Sequence, residues 1–236
     1  MALLGGGTQK SFLPHQKTYC AAAGMGKESR QRARGPADGA VSMTRNICVF
    51  SSSSDAVDAA FFALAEELGG EMARRGHALV YGGTNVGLMG AVARAVRQGG
   101  GKVVGVIPKF IADRGIAYDA ATELIITNDM RQRKATMEAR ADAFVALPGG
   151  FGTLEEVLEI ITLKQLQQHT KAVVFLNPGG YYDPLSALFE HMYEQRFAKA
   201  AYRGMYQFAA DVGSALDYME QYQPPVLPAK WTSAGR

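Results

Sequence analysis

"ALPGGFGTLEEVLEIIT", Ala146 to Thr162, is the stretch on which the reading of this chain turns. It opens as the end of an apolar strand, bends on three glycines and continues as a helix, the form of a strand-loop-helix unit. A glycine turn at the carboxyl end of a strand is suited to holding a phosphate, yet Glu155 and Glu156 follow at once. The question is what two carboxylates do in the first helical turn beyond an anion site.

Working outward from that unit, short β-rich runs alternate with helical stretches from Arg45 onward. Strands are expected at Ile47 to Phe50, Ala78 to Tyr81, Val103 to Ile107, Leu124 to Thr127, Phe144 to Leu147 and Val173 to Leu176. All are apolar on both alternating sets, as strands covered on both faces require. Helices are expected at Asp55 to Arg75, Gly87 to Gln98, Met130 to Ala141, Thr153 to Gln168, Pro184 to Arg196 and Val212 to Gln221. The pattern predicts one α/β domain over residues 43–222, a Rossmann-like, doubly wound, mostly parallel sheet with helices on both faces. Residues 223–236, broken by prolines, read as an irregular tail.

Residues 1–42 are rich in Gly, Ala and basic residues and keep neither the helical nor the strand period, so they read as a disordered extension. A transit peptide and a translation start at Met43 are the alternative readings. Residues 1–45 carry seven Lys/Arg against two Asp/Glu, a net of +5. The remaining 191 carry 18 against 20, a net of −2. The positive charge of the chain is therefore a property of its N-terminal segment, and the body does not point to a nucleic-acid partner. No apolar run approaches the ~18 residues of a membrane span, and the N-terminus lacks the apolar core of a secretory signal. Cys20 and Cys48 are the only cysteines and the four histidines are scattered, so neither a disulfide framework nor a metal site is expected. The expectation is a soluble, cytoplasmic protein with no membrane partner.

Three loops lie at strand ends where an open parallel sheet binds ligands: "FSSSSD", "YGGTNVGLMG" and "LPGGFGTLEE". The last is not a Walker A motif, because no Gly-Lys-Ser/Thr follows, and not a GxGxxG fingerprint, because Glu155 stands three after Gly152. A single phosphate suits it better than a pyrophosphate. Gly149, Gly150 and Gly152 can expose backbone N–H groups, and the Thr153 hydroxyl and helix N-terminus add donors. The plainer reading is that the glycines only turn the chain.

Glu156 also has two readings. Thr153 and Glu156 have the spacing of a capping box. Alternatively Glu156 lies off an apolar stripe of Leu154, Val157, Leu158 and Ile161, beside the mouth of the anion site, where it could meet a sugar and support an oxocarbenium-like carbon. The balancing cation is expected from "NDMRQRKATMEAR": Asn128 or Asp129 caps the helix and Arg131, Arg133 and Lys134 crowd its first turns, against the macrodipole. A solvated basic face is the competing account.

"PGGFGTLEE" from Pro148 to Glu156, "MRQRK" and "YGGTNVGLMG" together resemble the LONELY GUY (LOG) family, the cytokinin riboside 5′-monophosphate phosphoribohydrolases, from about Thr44 to Tyr222. Sequences of this kind have often been labelled lysine decarboxylases, but nothing in the chain suggests a pyridoxal phosphate site. The resemblance implies hydrolysis of the N-glycosidic bond of N6-substituted AMP to free base and ribose 5-phosphate; a purine or AMP nucleosidase of broader specificity and a non-catalytic nucleotide-binding module are the alternative readings. It places the catalytic pair on Arg133 and Glu156 and the phosphate loop on Gly149, Gly150, Phe151, Gly152 and Thr153. Lys134, Thr162, Ser52 and Gly83 complete the expected substrate contacts. It also implies a homodimer with active sites near the interface, and neither a metal nor an organic cofactor. Thr84 in place of a third glycine, Arg131 in place of a common His, and Gly115 after Arg114 depart from the family pattern and bear on the base preferred.

Overall fold

The structure, a computed structural model, describes residues 44–231. The expectations for residues 1–42, Cys20 and His15 among them, lie outside the described residues, as does the end of the tail. Seven strands form one parallel sheet: β1 (Asn46–Phe50), β2 (Ala78–Tyr81), β3 (Val103–Pro108), β4 (Glu123–Thr127), β5 (Ala143–Ala146), β6 (Ala172–Leu176) and β7 (Gln207–Ala209). Their order is β4-β3-β2-β1-β5-β6-β7. The chain thus winds outward from β1 to β4 and then crosses back to continue at β5 on the other side of β1. The crevice where the winding reverses lies beyond the carboxyl ends of β1 and β5, which is where such sheets bind ligands.

The helices are α1 (Ala59–Arg74), α2 (Gly87–Gln98), α3 (Lys109–Ala112), α4 (Met130–Arg140), α5 (Phe151–Gln165), α6 (Asp183–Glu194) and α7 (Val212–Gln221). Alternation along β1 shows how they divide. Ile47 and Val49 join the core under α1, α2 and α7, whereas Cys48 and Phe50 join the core under α4, α5 and α6. Burying such side chains contributes roughly 1.5–3 kcal/mol each. Phe50 stacks on Phe144 of β5 with ring centroids 6.0 Å apart, tying the two strands that flank the crevice.

Several boundaries differ from the sequence reading, each for a local reason. α1 begins at Ala59 because Asp58 is its cap, accepting from the Ala60 N–H at 2.8 Å. Asp55 is free to serve elsewhere. β7 has only three residues and α3 only four, too short for a period to be read. β4 is an edge strand with Ile126 half exposed, so it is not covered on both faces as expected. α5 begins at Phe151 with Gly150 as its cap, which makes Thr153 the third residue inside the helix. The capping box, one of the two readings of Thr153 and Glu156, does not form. The buried face of α5 is Thr153, Glu156, Val157, Ile160, Ile161 and Lys164, while Leu158 is exposed. Glu156 therefore lies on the buried face and not off it. Residues 223–231 contain no helix or strand, and Tyr202 holds them through its hydroxyl to the Pro228 carbonyl at 3.2 Å.

Candidate active site

Gly150 offers the start of α5 no side-chain acceptor, so the first N–H groups of the helix have no partner within the chain's own cap. They open onto a cavity of about 430 Å³ whose wall includes Gly150, Gly152 and Thr153. The positive end of a 15-residue helix thus opens into the hollow, where it is suited to an anion. Gly149 plays a different part. A side chain there would overlap Thr153, and its carbonyl accepts from the Tyr181 hydroxyl at 2.8 Å, which braces the loop.

The floor of the same cavity is an ion pair. Arg133, from the first turns of α4, donates from Nη1 to Oε1 of Glu156 on α5, and from Nε to the Val106 carbonyl at 3.2 Å. The two residues are 4% and 6% exposed. Gly82, after β2, leaves the room: a Cβ there would run into the guanidinium. Burial raises the Glu156 carboxyl above its ordinary value, and Arg133 beside it offsets part of that rise. A buried pair of this kind is a poor stabiliser because desolvation consumes most of the attraction. A carboxyl raised above its ordinary value by burial is, however, better matched to taking or giving a proton.

Arg133, Glu156, Gly150, Gly152, Thr153 and Ser52 are brought together around this cavity. Ser52 spends its hydroxyl on the Ser54 N–H at 3.1 Å. Ser51 beside it is 3% exposed, lines the cavity and has no hydrogen-bond partner for its Oγ among the described residues, a residue the sequence reading passed over. Its only sequence signal is its place one residue beyond β1. Thr84 from the β2–α2 loop and Met89 from the first turn of α2 line the cavity, with the Thr84 hydroxyl 3.3 Å from the Met89 sulfur. Gly83 is next to this wall but packs against β3. The far wall is apolar, built by Phe110, Ile111, Ile116 and Met130 with Arg114 among them. Gly115 ends this wall's turn in the left-handed region, with open space around it.

The remaining candidates point away. Lys134 pairs with Glu155, and with Glu159 at 2.8 Å. That answers what Glu155 does, and places both outside the main cavity. Lys134 and Glu159 border a second hollow of about 410 Å³ between α4 and α5, lined also by Phe50, Arg131, Ile160 and the other side of Glu156. Phe151 is 94% exposed at the tip of the loop. Thr162 is exposed and donates to the Leu158 carbonyl at 2.8 Å, so within one chain it does not reach the site.

Among the described residues no group of three or more His, Cys, Asp or Glu is placed to hold a metal ion, and no helix is long and apolar enough to cross a membrane. A family model described as "Possible lysine decarboxylase" matches residues 89–219. No lysine lines the main cavity, so the amine that pyridoxal phosphate would need is missing there. The chain is 48% identical over 176 residues to the probable cytokinin riboside 5′-monophosphate phosphoribohydrolase LOGL1 of Oryza sativa subsp. japonica, covering 75% of this chain and 79% of that protein. It is 42% identical over 180 residues to LOG2 of Arabidopsis thaliana, which carries the same activity in its name, covering 76% and 84%. Two solved structures share the fold. The molybdenum cofactor carrier protein of Chlamydomonas reinhardtii matches with TM-score 0.58 at 24% identity, over 75% of this chain and 96% of that one. The molybdenum cofactor binding protein of Rippkaea orientalis matches with TM-score 0.58 at 21% identity, over 76% and 98%. With its glycine loop, its Arg-Glu pair and this likeness over three quarters of its length, the chain belongs to the LOG family.

Proposed function

We propose that the chain is an N-glycosyl hydrolase that releases the base from N6-substituted adenosine 5′-monophosphates, leaving ribose 5-phosphate. The observation that carries this reading is the buried Arg133–Glu156 pair at the floor of a cavity whose wall is the uncapped start of α5. A binding module would gain nothing from a desolvated carboxylate near its anion site; a glycosidase needs one. The phosphate rests on the N–H groups at Gly150 to Thr153, with the Ser51 hydroxyl as a further donor. The base then reaches toward the apolar wall of Phe110, Ile111 and Met130. As the bond from C1′ to the base breaks, its electron pair leaves with the base, and the carboxylate of Glu156 supports the positive charge at C1′. A water oxygen bonds to C1′. Glu156 takes the proton that this water releases and passes it to the departing base, so the carboxylate is regenerated. Arg133 fixes the carboxylate's orientation.

The protein works as a cytoplasmic homodimer. Phe50, Ala135, Ile160 and Leu163 give the second hollow an apolar floor, and Arg131, Lys134 and Glu138 of α4 with Glu159 of α5 give it a rim of both charges, able to complement itself under a two-fold axis. A second copy there would bring new groups beside the outer face of α5, where Thr162 stands. Light scattering checks the dimer. The activity is checked by incubating the protein with N6-isopentenyl-AMP, AMP and N6-isopentenyladenosine and quantifying free base. Release from the first is expected to exceed release from the nucleoside by orders of magnitude. Equal rates would remove the phosphate role given to the α5 N-terminus.

A further inference from the structure

Eight residues beyond Glu156 on the same buried face, α5 carries Lys164, 2% exposed and without a carboxylate partner among the described residues. Its ammonium donates to the Lys171 carbonyl at 2.8 Å, the Met205 carbonyl at 2.7 Å and the Tyr222 hydroxyl at 2.7 Å, and it lies 4.8 Å from the centre of the Tyr222 ring. These acceptors come from three separate segments: the loop before β6, the 3₁₀ turn Ala200–Met205 and the residue that follows α7. One turn nearer Glu156, the Ile160 carbonyl accepts from Nε2 of His169 at 2.9 Å.

Burying an ammonium with no counter-charge is expensive, and a leucine would fill an interior position on this helix at less cost. The cation is therefore where the fold alone does not call for one. Between Glu156 and Lys164 the buried face is apolar, with Val157, Ile160 and Ile161. Apolar contacts are non-directional and leave a helix free to slide or turn slightly on its sheet. Three hydrogen bonds to three segments remove that freedom. A helix transmits the constraint over the roughly 12 Å that separate the two residues at ~1.5 Å per residue.

We infer that Lys164 is a positioning residue for Glu156, fixing the axial and rotational setting of α5 so that the carboxylate stays in register with Arg133 and the anion cradle. This rests on the role given to Glu156 above. The test is steady-state kinetics with N6-isopentenyl-AMP, together with thermal unfolding, on the full chain and on Lys164→Met and Tyr222→Phe. Each variant is repeated in a Glu156→Gln background. For Lys164→Met the expected result is a fall in kcat of about tenfold or more with KM within about twofold, since small displacements of a reacting group cost rate before they cost binding. Tyr222→Phe, which loses one rim acceptor and keeps the fold, is expected to show a smaller fall of the same kind with an unchanged Tm. Both falls should vanish in the Glu156→Gln background, because coupled groups are not additive. An undiminished fall in that background, or unchanged kcat in Tyr222→Phe and in whatever Lys164→Met folds, would overturn the positioning role. A wild type that turns over normally beside indifferent variants removes only this inference; a wild type that releases no base removes the reading of Glu156 and this inference with it.

Discussion

The two glycine loops of this protein look alike and do opposite things. In the loop between β2 and α2 the glycines make room for the protein itself. Gly82 clears the Arg133 guanidinium, and Gly87, at φ +57°, sits so close to the Ser53 backbone that a Cβ could not fit. The start of α2 is filled from within, by the Asp55 carboxylate on the Gly87 N–H at 2.8 Å and the Ser52 carbonyl on the Met89 N–H at 3.3 Å. At the start of α5, beyond Gly149, Gly150 and Gly152 have nothing within 4 Å of where a Cβ would be, and the helix start has no side-chain cap. One loop is packed shut and the other is left open, and only the open one can take an anion.

The largest expected effect tests what the open loop serves. Glu156→Gln keeps the shape of the side chain and should lower kcat by about 10²–10³-fold, the usual loss when a group that meets transition-state charge is removed. Near-normal turnover would reduce Glu156 to a structural residue. Because burial raises the Glu156 carboxyl, the acid limb of kcat/KM should fall above the ordinary carboxylate range and disappear in this variant.

Exchanging a methyl group into each loop sharpens the contrast. Gly87→Ala meets the Ser53 backbone in a left-handed conformation and should cost about 1–3 kcal/mol in thermal unfolding. Gly152→Ala meets nothing and should leave stability equal or higher by up to ~1 kcal/mol, since alanine favours a helix. Its methyl intrudes on the anion's space, so KM for the monophosphate should rise. The reverse pattern of Tm and KM would break the comparison. Asp55→Ala empties the cap of the closed loop and should cost ~1 kcal/mol with KM unaltered.

A further, pH-dependent effect concerns Lys164, which burial pushes down from 10.5 to about 8. The folded state then binds fewer protons than the unfolded state between those values, so this group's contribution to stability rises as pH increases through that window. Denaturant titrations from pH 7 to 10 should show the rise in wild type and not in Lys164→Met.

Most of this architecture could be read from the chain, because six of the seven strands and the long helices announce themselves by period. What failed to announce itself was short or was decided by tertiary contact. β7 has three residues, and α5 begins two residues before Thr153 because Gly150 accepts from the Leu154 N–H. Thr153 and Glu156 imitate a capping box by spacing alone; which of them faces a partner was settled by Arg133, 23 residues earlier in sequence. The Arg133–Glu156 pair was legible through the motifs on which it lies. Ser51 and Gly82 were not, since an unpaired hydroxyl and a cleared space are properties of three dimensions.

The apolar wall of the cavity is tied to the β2–α2 loop largely by backbone, with the Asn85 N–H on the Ile116 carbonyl and the Tyr118 N–H on the Gly83 carbonyl, each at 2.9 Å. No residue of α3 is buried. Substitutions there cost the fold little, as exposed positions usually do. With the base placed as proposed, selection for a new substituent on it would act on Phe110 or Ile111 almost independently of the folding threshold, while the buried Arg133–Glu156 pair stays fixed in the core. The enzyme's taste is evolvable because its wall is expendable.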